Sequence, residues 1–178
     1  MKSIWDTRPS KGEYGPFYQT YIDKLRPGNI IDILESQGDE VNRLIMSQDE
    51  EQALHRYEEE KWSVKEVFGH MMDTERVFCH RALSISRNDP NDLPGFEQDD
   101  YVNAVDFDTR SIESLAREQV ALRENTIQLF KGFSKQMLER TGIANNYSLS
   151  VRAVPFIIAG HERHHLLLLE SRYGLQLP

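Results

Sequence analysis

Cysteine is almost missing from this chain: among 178 residues only Cys79 carries a thiol. A single cysteine excludes an internal disulfide framework and any zinc module built on paired cysteines. Long apolar runs are missing as well. The longest, Ala153 to Ala159, stops at Gly160 and His161, and Leu166 to Leu169 is shorter still. A bilayer span needs about 20 apolar residues, so no membrane partner is expected. Positive charge is scarce: 21 basic residues stand against 29 acidic ones, for a net charge of -8. Domains that grip phosphate backbones usually carry the opposite excess, so no nucleic-acid partner is expected either. The first ten residues include Asp6 and no apolar run, unlike a secretory signal, and the chain reads as cytoplasmic.

What remains is a globular composition. Apolar residues make up 39%, and the 10 glycines bring the share to about 45%, the lower edge of the globular range. The length suits one domain, and with no internal repeat or low-complexity tract residues 1–178 read as a single one. Six histidines beside one cysteine are the conspicuous imbalance.

Four long segments carry helical periodicity. The first opens after Pro27-Gly28 with Asn29 as a candidate N-cap, and repeats Ile30, Leu34, Val41 and Ile45 with an interruption at Gln37-Gly38. The second opens on the capping box Ser63/Glu66. It presents Val64, Val67, Phe68, Met71, Phe78, Ala82 and Ile85, and dies at Arg87-Asn88-Asp89-Pro90. Glu75 falls inside that apolar face, where a carboxylate either finds a partner or shifts its pKa; at the stripe's margin it would instead reach solvent. The third runs roughly from Thr109 to Phe133. Ile112, Leu115, Gln119, Leu122, Thr126, Leu129 and Phe133 alternate steps of three and four, the seam spacing of packed helices. The fourth begins near Ser150, tolerates Pro155 early, and ends at Gly174, a natural C′ residue. Leu166 to Leu169 cover all its sides, as in a central core helix or at a subunit interface.

With no convincing strand, the fold class is all-α, a helical bundle. About 22 residues, Arg87 to Asp108, join the second and third helices. At about 1.5 Å per residue the second helix is roughly 35 Å long, and an extended connection of that size can return along all of it. The two helices can then run parallel; a local excursion with an antiparallel return is the alternative.

The fourth helix contains Gly160-His161-Glu162-Arg163-His164-His165. His161 and His165, at i and i+4, share one face, a spacing that lets two ring nitrogens approach one ion at about 2.0–2.1 Å. A third ligand must come from elsewhere, and His70 on the apolar second helix is the best candidate. His55 lies in a polar segment, and His80 lies about 80° around the helix from His70. His164, at i+3 from His161, can replace His165 geometrically. The same five residues also match H-E-x-x-H, in which the glutamate of a zinc peptidase is the general base.

Three stretches together resemble the DinB-like superfamily in its YfiT-like branch. They are Trp62 to Val67 with His70 and Glu75; the loop Leu93-Pro94-Gly95-Phe96-Glu97-Gln98-Asp99; and Gly160 to His165. The resemblance covers about Tyr14 to Tyr173. It implies a four-helix bundle with a long crossover between helices 2 and 3. It also implies a divalent metal, zinc or nickel foremost, on His70, His161 and His165, and makes Glu162 part of a helix pattern rather than a peptidase base. Glu75 and Glu162 become candidates to orient the ligand imidazoles, a task carboxylates commonly perform. Some members resemble metal-dependent hydrolases acting on small molecules, others transferases of low-molecular-weight thiols such as bacillithiol or mycothiol. The resemblance also admits a homodimer. The expectation is a metal-dependent hydrolase with a three-histidine site. A thiol S-transferase and a non-catalytic metal-binding stress-response module are the alternatives, and no catalytic group beyond the histidines is assigned.

Overall fold

The computed structural model describes residues 3–178. Its frame is four long helices: α1 (Ile30–Met46), α2 (Val64–Ser86), α3 (Ile112–Lys131) and α4 (Val154–Tyr173). Their starts follow the local chemistry. Asn29 caps α1 through the amide of Ile31, and Ser63 and Glu66 close the capping box of α2. Each satisfies backbone N–H groups that a first turn leaves orphaned. Gly174 ends α4 in the left-handed conformation, φ 72°.

Residue pairs that meet between helices give their directions. Ser63 with Asp108, Glu75 with Arg123 and Cys79 with Thr126 ascend together, so α2 and α3 run parallel. Gly38 with Gln119, Leu34 with Arg123 and Glu35 with Lys131 run oppositely, so α1 and α3 are antiparallel. The pairs Trp62–Tyr173 and His70–His161 make α2 and α4 antiparallel. Around the bundle the order is α1, α3, α2, α4. The crossover is therefore real, and the 87–108 connection does the return. It is not bare loop: it contains a helical turn at Gln98–Asn103 and a 3-10 turn at Phe107–Thr109.

The connection between α3 and α4 departs from the sequence reading, which saw no strand. Strands β1 (Thr141–Ala144) and β2 (Tyr147–Ser150) pair antiparallel. They turn through Asn145 and Asn146, both at positive φ, 50° and 65°, the conformation of a two-residue type I′ hairpin. Four-residue strands rich in Gly, Ser and Thr carry too little alternation to show a period of two. The hairpin holds the crossover: Leu93 donates to Ile143 O and accepts from Asn145 N, each at 2.9 Å. It thereby fixes the loop that follows.

The inward face of α3 also differs from the expected seam. Ile112, Leu115, Gln119, Thr126 and Phe133 are buried as expected, but Leu122 and Leu129 are only half-buried, and Arg123, Ile127 and Phe130 are buried in addition. A straight helix at 3.6 residues per turn drifts about 20° per heptad from a strict seven-residue repeat. From the third turn the buried face takes in the next residue along, at Arg123, Ile127 and Phe130, while Leu122 and Leu129 slip to its margin. On α4, Leu166 and Leu169 are fully buried, Leu168 is half-buried and Leu167 is exposed, so the four leucines do not form an all-round core segment.

The chain before α1 lies along α4 through a helical turn, Gln19–Ile22. Gly160 permits this approach: a Cβ there would lie 2.5 Å from Tyr21 O. Gly160→Ala is expected to destabilise the fold by about 2 kcal/mol or more, in the range of overpacked cores, measured by urea unfolding. A change below about 0.5 kcal/mol would show that this contact gives way freely.

Candidate metal centre

The three histidines singled out in the sequence meet in the bundle core. His70 comes from α2 and His161 and His165 from successive turns of α4, and all three are buried. Their Nε2 atoms converge, 3.1 Å from His70 to His161 and 3.1 Å from His165 to His161. One ring nitrogen from each lies within 4.8 Å of the others. The Trp62 ring packs on His70, centroids 4.7 Å apart, and Tyr21 meets His161 edge-on at 5.4 Å. His164 is half-buried and stands outside the trio, while His55 and His80 are exposed.

Burial sets the protonation of this group. It pushes His70 down to about 4, and it carries His161 and His165 well below the ordinary imidazole value, with the neighbouring imidazoles adding to the effect. All three are neutral at pH 7. A neutral imidazole has one N–H and one lone pair, so three Nε2 atoms aimed at one point bring lone pairs together unless something stands between them. A divalent cation fits. Two nitrogens on a tetrahedral ion at about 2.0–2.1 Å lie about 3.3 Å apart, close to the separations here. The three residues could hold such an ion with no other protein ligand among the described residues. The Nδ1 of His165 has no hydrogen-bond partner there.

The two carboxylates expected to orient these rings do something else. Glu75 and Glu162 both turn to Arg123, and neither hydrogen bonds to an imidazole among the described residues. Arg123 Nε and Nη2 donate to Glu75 at 3.1 and 2.8 Å, and Nη1 and Nη2 donate to Glu162 at 3.2 and 2.5 Å. Nη1 also donates to Leu34 O at 2.8 Å. The five N–H donors of the guanidinium are thus all used. Burial works to lower the Arg123 pKa, but Glu162 and Glu75 outweigh it and hold the group above its usual value. Burial raises the Glu162 pKa, opposed by Arg123. Gln37 completes the cluster, donating to Glu162 and to Ala159 O, each at 3.0 Å. Gly38 makes room for it, since a Cβ there would lie 2.8 Å from Arg123 Cγ. The interruption at Gln37-Gly38 in the first helix is therefore the imprint of this layer.

That arrangement removes the peptidase reading. In H-E-x-x-H chemistry the glutamate faces the metal-held water; here Glu162 is buried in an ion cluster on the far side of its helix turn. Cys79 is equally unavailable: burial pushes its thiol up to about 12, and its Sγ lies 3.3 Å from Thr126 Oγ1.

Two clefts reach the histidines. The larger, about 620 Å³, is polar and reaches His165, with Trp62, Tyr57 and Tyr173 in its wall. The smaller, about 290 Å³, reaches His70 and His161. Gln98 and Asp99, on the helical turn of the crossover, line both. Arg123, and Arg81 in the wall of the smaller cleft, were not singled out in the sequence, and Gln98 and Asp99 were named only within the loop that carries the family resemblance. The signal for Arg123 was present in part, as the polar Gln119 and Thr126 sit on an otherwise apolar stripe.

Comparison with known proteins agrees with this architecture. Residues 33–169 match the DinB superfamily. Among solved structures, YfiT from Bacillus subtilis superposes with a TM-score of 0.68 at 14% identity, covering 96% of this chain and 95% of that one. It is described as a "probable metal-dependent hydrolase with an unusual four-helix bundle topology". No curated protein matches by sequence.

Replacing Arg123 with Met leaves two buried carboxylates facing each other without a counter-charge. The expected loss is about 3–5 kcal/mol, as for other broken buried ion clusters, read by denaturant unfolding. A loss below about 1 kcal/mol would mean that the cluster does not hold the four helices together.

Proposed function

The chain belongs to the DinB superfamily, and on that premise we propose that it is a metal-dependent hydrolase of small molecules. In this reading His70, His161 and His165 hold one divalent ion. The observation that carries it is the convergence of three neutral, buried imidazoles at the meeting of two clefts, with the Nε2 atoms of His70 and His165 each 3.1 Å from that of His161.

An ion on three uncharged imidazoles keeps its full charge and supplies Lewis-acid chemistry, lowering the pKa of a bound water and polarising a bound carbonyl or phosphoryl oxygen. The protein's own residues set the conditions. Burial keeps the imidazoles unprotonated and so competent as ligands at neutral pH. Trp62 and Tyr21 pack against two of the rings and restrict their rotation. Arg123 fixes Glu162, and with it the turn of α4 that presents His161. Gln98 and Asp99 stand over both clefts, where a substrate bound across the histidines would meet them. Imidazole suits zinc, nickel, copper and iron alike; zinc or nickel is the proposed occupant, in keeping with the family resemblance. No helix among the described residues is long and apolar enough to cross a membrane.

The test pairs metal content with hydrolysis. Protein loaded with zinc or nickel is assayed on a panel of small esters, amides and phosphoesters, alongside chelated protein and His161→Ala. Turnover is expected only in the loaded wild type, and His161→Ala is expected to lose bound metal at least tenfold. Unchanged metal stoichiometry in His161→Ala would contradict the site. Turnover that appears only with an added low-molecular-weight thiol would replace hydrolysis by thiol transfer.

A further inference from the structure

The smaller cleft holds a charge that the metal centre does not account for. Arg81 is 3% exposed, yet no carboxylate among the described residues pairs with it. Its guanidinium donates to Pro94 O at 2.8 Å and lies 5.1 Å from the centre of the Phe78 ring. A guanidinium carries five N–H donors, and arginine is almost never buried without a counter-ion, because stripping a charge of water costs several kcal/mol. The Tyr18 phenol also stands within reach of it, but burial keeps that phenol neutral, and a neutral phenol, one carbonyl and one aromatic face do not neutralise the charge.

A second group in the same wall is also unsatisfied. Thr74 is 4% exposed, and its Oγ1 has no hydrogen-bond partner among the described residues. A helical threonine ordinarily returns its hydroxyl to a backbone carbonyl one turn earlier. Here the hydroxyl is left over, between His70 and Arg81 on the same helix.

The periodicity of α2 places these residues in line. His70, Thr74, Phe78 and Arg81 follow at steps of four, four and three, and all four line the smaller cleft. Arg81 lies about 16 Å along the axis from His70 at about 1.5 Å per residue. Long helical side chains lean toward the helix N-terminus, which brings the guanidinium back toward the histidines. The opposite walls are aromatic: Phe17, Tyr18, Tyr21 and Phe96. The cleft's 290 Å³ is at the small end of ligand pockets, with room for one ring or a short acyl chain. Glu97 and Asp99 line the same cleft but are exposed. They are screened by water, and they disfavour a ligand whose outer end is anionic.

We propose that the smaller cleft is an anion subsite, in which Arg81 and Thr74 receive the carboxylate of a substrate whose planar or acyl portion lies between the aromatic walls. The substrate class is then a small monocarboxylate that enters acid end first and presents its other end to the histidines. Arg81 is the specificity-determining residue, supplying the charge-assisted pair, and Thr74 supplies one further hydrogen bond. The inference rests on the metal-centre reading for where the chemistry happens, and on the cleft alone for what is bound.

Benzoate is the probe, titrated calorimetrically into the full chain in metal-free and metal-loaded forms. Wild type is expected to bind it saturably in both. Benzamide, of the same shape without the charge, is expected to bind at least tenfold more weakly. Arg81→Met is expected to weaken benzoate at least tenfold with metal content unchanged, and Thr74→Val severalfold. Arg81→Lys, which keeps the charge, is expected to restore most of the binding. Absence of benzoate binding by wild type overturns the proposal, as does equal affinity for benzamide or an unchanged affinity in Arg81→Met. Tighter binding of phenyl phosphate than of benzoate overturns the carboxylate assignment. If Arg81→Met does not fold, unchanged affinity in Thr74→Val overturns the paired site. Benzoate binding that depends on Arg81 in a protein that takes up no metal removes the metal centre and keeps the subsite. Metal uptake with a cleft indifferent to charge does the reverse.

Discussion

The guanidinium of Arg123 is the contact on which the bundle's interior depends. It sits on α3, takes Glu75 from α2 and Glu162 from α4, and donates to the backbone of α1 at Leu34. Four helices thus share one buried charge. Such a cluster adds little net stability over an apolar core of the same volume, since desolvation offsets much of the attraction. What it adds is registry: sliding any helix by a turn strands a charge in a medium that cannot solvate it. The crossover topology makes that constraint useful. With α2 and α3 parallel and α4 antiparallel to both, Glu75 and His70 on α2 lie beside Glu162 and His161 on α4.

The histidine cluster is the complement of that layer. Both depend on α4 presenting different sides of one short stretch: Glu162 turns to the ion cluster while His161 and His165 turn to His70. Gly160 lets the N-terminal turn close over the same stretch, placing Tyr21 against His161. The carboxylates are thereby committed to holding helices, and the imidazoles are left neutral and uncharged by any acidic partner. A three-imidazole site of this kind would leave a bound divalent ion its full charge, and the clefts give a substrate access to it. The crossover loop, pinned between Arg81 and the β-hairpin, forms the roof.

Much of this was legible in the sequence, and the exceptions have physical reasons. The four helices announced themselves through caps at Asn29 and Ser63 and through apolar periodicity. The length of the 87–108 connection permitted the parallel return that the residue pairs then show. The i, i+4 pair His161/His165 and the lone His70 were visible because imidazoles are conspicuous in an apolar stripe. The β-hairpin was not, since four-residue strands give no readable alternation. Arg123 escaped because a strict three-four seam points to Leu122, and only the drift of a 3.6-residue helix turns the next position inward. The partner of Glu75 could not be read either. A carboxylate in an apolar stripe says that something must meet it, and spacing along one helix does not say what comes from another. Arg81 was hidden for a similar reason: an arginine near the end of a helix ordinarily reaches solvent, and its burial comes from the loop folded over it.

The central claim is that three neutral imidazoles hold one divalent ion with positions left open. X-ray absorption spectroscopy on protein purified without added metal addresses it directly. The account predicts one equivalent of a divalent metal per chain, with three imidazole nitrogens at about 2.0–2.1 Å and the remaining ligands light oxygen scatterers. A protein that carries no metal, or an ion with a sulfur or a fourth histidine in its coordination sphere, would contradict it.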